Sequence, residues 1–351
     1  MRVETIHPNE LGPAEVARWR AHQRANAALR SPYLTPEWTR MLGALRAGAR
    51  VCVIDGGASF LGVQRLSRFA AMGLGAPIAD YQGLIGESDL SIEPRAICRA
   101  LNVGRIDIAN APAGTLRAPA GEDGSWIAEV SAGRDLYEAA LKQRRAEFVR
   151  QTDKKTRKFE REFGPLEFRA RSTERADFET LIVWKNAQLA RTGQPQIWAR
   201  PWVRGALDIC FEANAAEFSG VLFTLHARDT LAAAAFCLRS ESVLHVWLLG
   251  HDSAYDAYSP GVLLARRAIH WASDKGFAEV DFGAGDYQYK RQLSTTQRTL
   301  ERGVIAGGSW SGAVRHTQNA LRTRIERFPQ PQLAALPGKA MRRLDLIRAL
   351  A

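Results

Sequence analysis

The chain is poor in everything that would mark a metal site, a disulfide scaffold or a membrane span. Its four cysteines among 351 residues, Cys52, Cys98, Cys210 and Cys237, lie far apart, with no Cys-x-x-Cys pair and no histidine at metal-ligand spacing. They read as reduced core residues. The seven histidines are scattered and form no His-Glu-x-x-His helix, so no metal is predicted. No stretch stays uncharged over the length of a membrane span, and Glu4, Glu10 and Glu15 break the run that a signal peptide needs. A cytoplasmic protein is expected. Acid is also in short supply: 37 Asp and Glu stand against 48 Lys and Arg, a formal charge of +11. That balance suits a polyanionic partner such as nucleic acid, an anionic membrane or a phosphorylated substrate. The basic residues are mostly Arg and are spread along the chain, a pattern that is common without any nucleic-acid role. They concentrate in residues 142–161 and again after residue 321.

What is present is an ordinary globular composition, 46% hydrophobic and 24% charged, at a length that fits two domains with a core each. Residues 14–29 carry a helical pattern, and a second helix begins near Pro36. The period then changes. Two apolar runs around Asp55-Gly56-Gly57 have the form of a β-hairpin. The glycine-rich stretch beyond it sets Asp80 and Tyr81 amid apolar neighbours, as loop and strand near a surface cleft. Residues 136–163 form a helix with its basic residues on a solvated face, stopped by Gly164-Pro165. A strand, a helix over 176–191 and a three-stranded meander over 219–250 follow. Helix then hairpin thus occurs twice, which suggests duplication with a boundary near residue 150. The expected domains are 1–150 and 151–310, with a basic tail over 311–351.

The chemistry concentrates in residues 245–293. Ser259 can cap a helix, Pro260 is favoured at the first helical position, and Gly276 follows the last turn. With an apolar strand before it and another after it, this helix makes a β-α-β crossover between parallel strands. Its N-terminus offers backbone N–H groups and the positive end of the helix dipole, and Gly261 admits a phosphate with no side chain in the way. Where the next strand ends, Asp281, Asp286, Tyr287, Tyr289 and Lys290 crowd around two glycines. Strand ends of α/β units are where ligands bind.

The run YDAYSPGVLLARRAIHWASDKGFAEVDFGAGDYQYK, residues 255–290, resembles the signature of the acetyltransferase-like proteins of the CelD/BcsL cellulose-biosynthesis family, which are similar to the Fem-type aminoacyl transferases of peptidoglycan synthesis. SPYLTPEW, ADYQGLI, KKTRKFEREFGPLEF and WKNAQLARTG resemble other phrases of that family, so the likeness covers roughly residues 30 to 300. The resemblance implies an α/β fold of the α+β kind: two tandem GNAT-like domains with mixed central sheets flanked by helices. It implies an N- or O-acetyltransferase that moves an acyl group from acetyl-CoA or another acyl-CoA to a sugar-containing precursor of exopolysaccharide or cell envelope. The usual GNAT pyrophosphate loop, Gln/Arg-x-x-Gly-x-Gly/Ala, is absent, and Ser259-Pro260-Gly261 occupies its place.

Roles can be given to individual residues on that basis. Lys290 matches an active-centre lysine of the Fem-type proteins and can neutralise an oxyanion or a phosphate. Asp281 or Asp286 is a candidate base, and Tyr289 and Tyr287 can donate hydrogen bonds or stack on a sugar. Ser259, Pro260, Gly261 and Val262 are the donor-binding candidates, with Tyr255 and Tyr258 lining its entry. Asp80, Tyr81, Lys185, Arg191 and His245 are candidates for contact with the acceptor. A Fem-like transfer from charged tRNA, using the basic helix as a platform, is one alternative. A non-catalytic nucleotide-binding regulatory module of the same fold is another. The arginine-rich tail either docks on the body or rests on the anionic inner face of a membrane.

Overall fold

The computed structural model describes residues 1–86, 93–117, 119–326, 345–347, 349 and 350. The parts of the expected basic tail at residues 327–344, 348 and 351 lie outside them. The chain divides into two compact units. Unit 1 comprises Met1–Asp123 and Thr299–Ala351, and unit 2 is the segment Gly124–Arg298. The helix at which the sequence suggested a boundary lies wholly within unit 2.

In chain order the strands are β1 (Val3–Ile6), β2 (Ala49–Ile54), β3 (Ser59–Arg65), β4 (Ala71–Gly73), β5 (Leu84–Gly86), β6 (Arg105–Pro112), β7 (Pro119–Glu129), β8 (Leu166–Ala170), β9 (Ser219–Ala227), β10 (Thr230–Arg239), β11 (Val243–His251), β12 (Glu279–Asp281) and β13 (Thr296–Ala306). The α-helices are α1 (Pro13–Ala25), α2 (Pro36–Leu45), α3 (Pro94–Leu101), α4 (Arg134–Phe163), α5 (Arg175–Arg191), α6 (Pro201–Glu212), α7 (Pro260–Asp274), α8 (Gln288–Leu293) and α9 (Trp310–Glu326). The architecture is mixed α/β with helices flanking the sheet strands, as expected.

In unit 1 the β2–β3 hairpin turns where the sequence placed it, with Ile54 opposite Ser59 and Asp55, Gly56 and Gly57 all at positive φ. The apolar faces of β2 and β3 meet Ile97 and Leu101 of α3 in one core. Tyr81 is fully buried in this unit and Asp80 is half-buried.

In unit 2 the strand order is β7-β12-β11-β10-β9-β8, antiparallel except for the β11–β12 pair, which is parallel. This is the crossover read from the sequence. Alternation along β11 sends neighbouring residues to opposite faces. Gly250 faces Leu181 and Trp184 of α5, while Leu249 and His251 face Gly261 of α7. The two helices therefore cover opposite sides of the sheet. Phe223 meets Trp271 of α7 edge-on, and Phe236 packs on Phe178 of α5 and on Trp247. Of these tryptophans, Trp247 is buried and Trp271 partly so. All four cysteines are buried thiols, and burial pushes that of Cys52 up to about 12.

The pairing of α4 with α7 supplies a charge network. Arg266 donates to both oxygens of Glu138 at 2.8 and 2.5 Å and to Asp153 at 2.7 Å, and His270 lies 2.6 Å from Glu138. Burial by itself pushes the Glu138 carboxyl up, but the Arg266 and His270 partners outweigh it and hold the carboxyl at about 2, below its ordinary 4.5. A depressed folded-state value means that this stabilisation is complete above pH 4.5 and is lost as pH falls from there toward 2. Thermal unfolding followed from pH 6 to pH 2 should thus show a fall in Tm across that window, and Glu138→Gln should flatten it.

Candidate functional site

The site is assembled in unit 2 around the ends of β11 and β12. These strands pair over three residues, Val243 with Glu279, Leu244 with Val280 and His245 with Asp281. Beyond them β12 stops and β11 continues to His251, so the two backbones part. On its other side β11 carries a bulge: Phe236 faces Leu248 and Cys237 faces Val246, which leaves Trp247 as the extra residue. A bulge of this kind takes an amide out of the ladder and re-aims the strand. An opening between two parallel strands, bordered by unladdered backbone, results.

The turn after β12 closes one side of this opening. Gly283 and Gly285 both have positive φ, 71° and 100°, which is why glycine occupies both positions. Asp281 holds the turn from below. It is fully buried, its Oδ1 accepts from Ser125 Oγ at 2.5 Å and from the Gly283 amide at 2.8 Å, and its Oδ2 lies 3.8 Å from Arg298. Arg298 in turn makes a bidentate pair with Glu279, at 3.0 and 2.8 Å. His245, also fully buried, lies 3.7 Å from the same carboxylate. Asp281, expected from the sequence as a candidate base, is thus a buried carboxylate enclosed by donors. Asp286, the other candidate base, is solvent-exposed and hydrogen-bonded to Arg291.

Lys290 reaches back over the turn from α8. Its Nζ donates to the Ala284 carbonyl at 2.7 Å and lies 3.4 Å from that of Gly283, and it sits 5.5 Å from the centre of the Tyr287 ring. Tyr289 is edge-on to Phe282, and Tyr287 is exposed. From the other face of the sheet Lys185 arrives on α5, its Nζ 3.5 Å from the Leu249 carbonyl and 2.7 Å from Gln188 Oε1. Burial and then the Lys290 charge hold Lys185 below the usual lysine range. The structure thus brings Lys185 and Lys290 into electrostatic contact. It does not bring Arg191 to Lys185: six residues on a helix put the two on different faces, and Arg191 is exposed.

A cleft of about 760 Å³ opens along α4, α7 and α8. Phe148, Gln151, Thr152 and Lys155 line it from one face of α4, with Arg144 and Arg145 above them at a kink where Arg145 leaves helical geometry (φ −144°, ψ 43°). Ser259, Val262 and Leu263 line it from α7, and Tyr287, Gln288, Tyr289 and Gln292 from the other end. Ser259 departs from expectation. It is left-handed (φ 54°, ψ 52°), so its hydroxyl does not cap the helix; it accepts instead from Lys155 Nζ at 2.7 Å. The amides of Val262 and Leu263 are bonded to the Ser259 carbonyl and Pro260 has none, so at this helix start Lys155 provides charge that the backbone amides do not. Gly261 is buried with its Cβ direction toward His251 and Leu249, at ordinary contact distances of 3.6 and 3.9 Å. It faces the sheet, not the cleft, and Gly261→Ala should leave ligand affinity within about twofold by calorimetry. Tyr255 and Tyr258 are likewise not cleft residues: they pack on Phe159 and Phe163 of α4, and the Tyr258 hydroxyl donates to Glu162.

Asp80 and Tyr81 belong to unit 1. Sequence reasoning missed Lys155, which looked like one solvated base among many, and Ser125 and Arg298, which carry no local signal. The i, i+3, i+4, i+7 spacing of Phe148, Gln151, Thr152 and Lys155 is the signal that could have placed Lys155 on a common face with them.

Residues 128–291 match the family model for the Acetyltransferase (GNAT) domain. The matched residues lie within unit 2. No curated protein matches the chain by sequence. Among solved structures, the fold is similar to that of FemX, with a TM-score of 0.53 at 11% identity over 87% of this chain and 96% of that one. It is equally similar to the C-terminal domain (DUF2156) of a protein described as a lysylphosphatidylglycerol synthetase from Agrobacterium fabrum, with a TM-score of 0.53 at 11% identity over 87% and 95% of the two chains. A conserved protein of unknown function from Bacteroides thetaiotaomicron gives 0.51 at 12% identity over 82% and 96%. At such identities the likeness is one of fold, and its coverage extends beyond the GNAT domain into unit 1. Among the described residues no helix is long and apolar enough to cross a membrane.

Proposed function

We propose that the protein is an acyltransferase of the GNAT type that moves an acyl group from acyl-CoA to an amine or hydroxyl of a polysaccharide or cell-envelope precursor, in keeping with its resemblance to the CelD/BcsL proteins. The observation that carries the reading is the opening between β11 and β12, bordered by the Trp247 bulge and the Lys290 turn. A thioester carbonyl placed there would meet backbone donors and a buried cation, the two features that stabilise a developing oxyanion. The cleft beside α7 fits the donor's phosphates: Arg144, Arg145 and Lys155 supply positive charge. Acyl-CoA would contribute the thioester, and the protein the positioning and the proton handling.

Calorimetry with acetyl-CoA and CoA tests this. Binding should weaken about tenfold in Lys155→Ala, the loss of one charge-assisted contact of about 1.5 kcal/mol. No binding of either ligand to the wild type would remove acyl-CoA as the donor.

The likeness in fold to FemX supports a second reading, aminoacyl transfer from charged tRNA, for which Lys154, Arg157 and Lys158 on the exposed side of α4 would be the platform. Salt-sensitive retention of tRNA that disappears when these three charges are removed would favour it.

A further inference from the structure

The surroundings of Lys185 work against its charge. Its Nζ meets a side-chain amide and a backbone carbonyl, Gln188 and Leu249, both neutral. Among the described residues it makes no ion pair. The charge of Lys290 acts on Lys185, and half-burial removes water that would screen it. The remaining titratable groups around α5 are committed elsewhere. On the strands packed against it, His245 lies beside Asp281, His251 is 2.7 Å from Asp256 on the α7 side, Arg239 covers the Phe277 ring and Cys237 is a buried thiol. On α5 itself, Asp177 faces His226 and Glu179 is paired with Arg175 and Arg204.

We propose that Lys185 is the general base of the transfer, taking the proton of the attacking acceptor at the open end of β11. This rests on the acyl-transfer reading above. A lysine desolvated beside a second lysine carries a neutral, basic amine at a pH where an ordinary lysine is an ammonium ion. The acceptor's nitrogen or oxygen bonds to the acyl carbon, its proton passes to Lys185 Nζ, and the carbon–sulfur bond breaks. The thiolate takes a proton from solvent, and Lys185 returns its own to solvent before the next turnover. Lys290 keeps its place on the turn carbonyls and favours the neutral form of Lys185 from there.

Two measurements on the full chain decide the matter. Competitive labelling with trace acetic anhydride, read by mass spectrometry, follows the protonation of Lys185 without any turnover. Its midpoint should lie below the reference 10.4, and Lys290→Met should move it upward. Thiol release from acetyl-CoA, with glucosamine or water as acceptor, should fall about 100-fold in Lys185→Met and equally in Lys185→Arg, which keeps the charge but cannot act as base, with acetyl-CoA affinity unchanged. Near-wild-type release in Lys185→Arg would mean that only the charge matters and would overturn the role. An ordinary labelling midpoint alongside normal wild-type release would overturn it alone. Absence of wild-type thiol release would overturn the transfer reading and this role together.

Discussion

Lys290→Met should lower kcat/KM for acyl transfer by about 10²–10⁴-fold while the protein stays folded, the range for removing a group that stabilises developing charge or handles the proton. The expectation follows from where Nζ lies. It is buried at the edge of the strand opening, tied to two carbonyls of the turn that forms one side of it. Methionine preserves the packing of the stem against Tyr287 and removes only the charge and the donors. If the ammonium is a clamp for the Gly283–Ala284 turn alone, the same change should lower Tm and leave turnover per folded molecule near that of the wild type. Steady-state thiol release together with thermal unfolding separates the two outcomes. An effect on kcat with KM for acetyl-CoA unchanged would place the interaction in the transition state.

The strand-helix-strand frame of this site was legible because its signals are local. Pro260 inside the start of α7, Gly276 past its end and apolar runs on both sides are each read within a few residues, and α7 begins and ends where they said. The same holds for the Asp55-Gly56-Gly57 hairpin and for Lys290, whose place was given by resemblance and whose burial the structure adds. What could not be read is set by distant partners. Ser259 had the composition of a cap, yet Lys155, 104 residues earlier, takes its hydroxyl. The kink at Arg145 has neither proline nor glycine to announce it; Arg144 bonds to the Thr295 carbonyl beside it. Asp281 looked like a reactive carboxylate because strand ends hold such groups. Its fate was decided by Ser125 and Arg298, which sequence spacing does not connect to it.

That enclosure makes Asp281 the position whose replacement should cost the most stability. Removing the carboxylate in Asp281→Ala leaves Ser125 Oγ, the Gly283 amide and one side of Arg298 facing a void in a fully buried site. Breaking a buried charge pair from one side costs about 3–5 kcal/mol, because the remaining group keeps its desolvation without its partner. Asp281→Asn should lose less. The amide oxygen can still accept from Gly283 or Ser125, but its NH₂ group would then face Arg298, a donor against a donor. Urea unfolding should therefore rank wild type above Asp281→Asn above Asp281→Ala. If Asp281 were the base of the reaction, the order of effects would reverse between assays: Asp281→Asn would fold nearly as well as wild type and fail in turnover by orders of magnitude. A carboxylate with its oxygens occupied by a hydroxyl, an amide and a guanidinium is built to hold the Gly283 turn, and through that turn the carbonyls on which Lys290 rests. Its loss should reach catalysis only by loosening Lys290, so turnover per folded molecule should fall less in Asp281→Asn than in Lys290→Met.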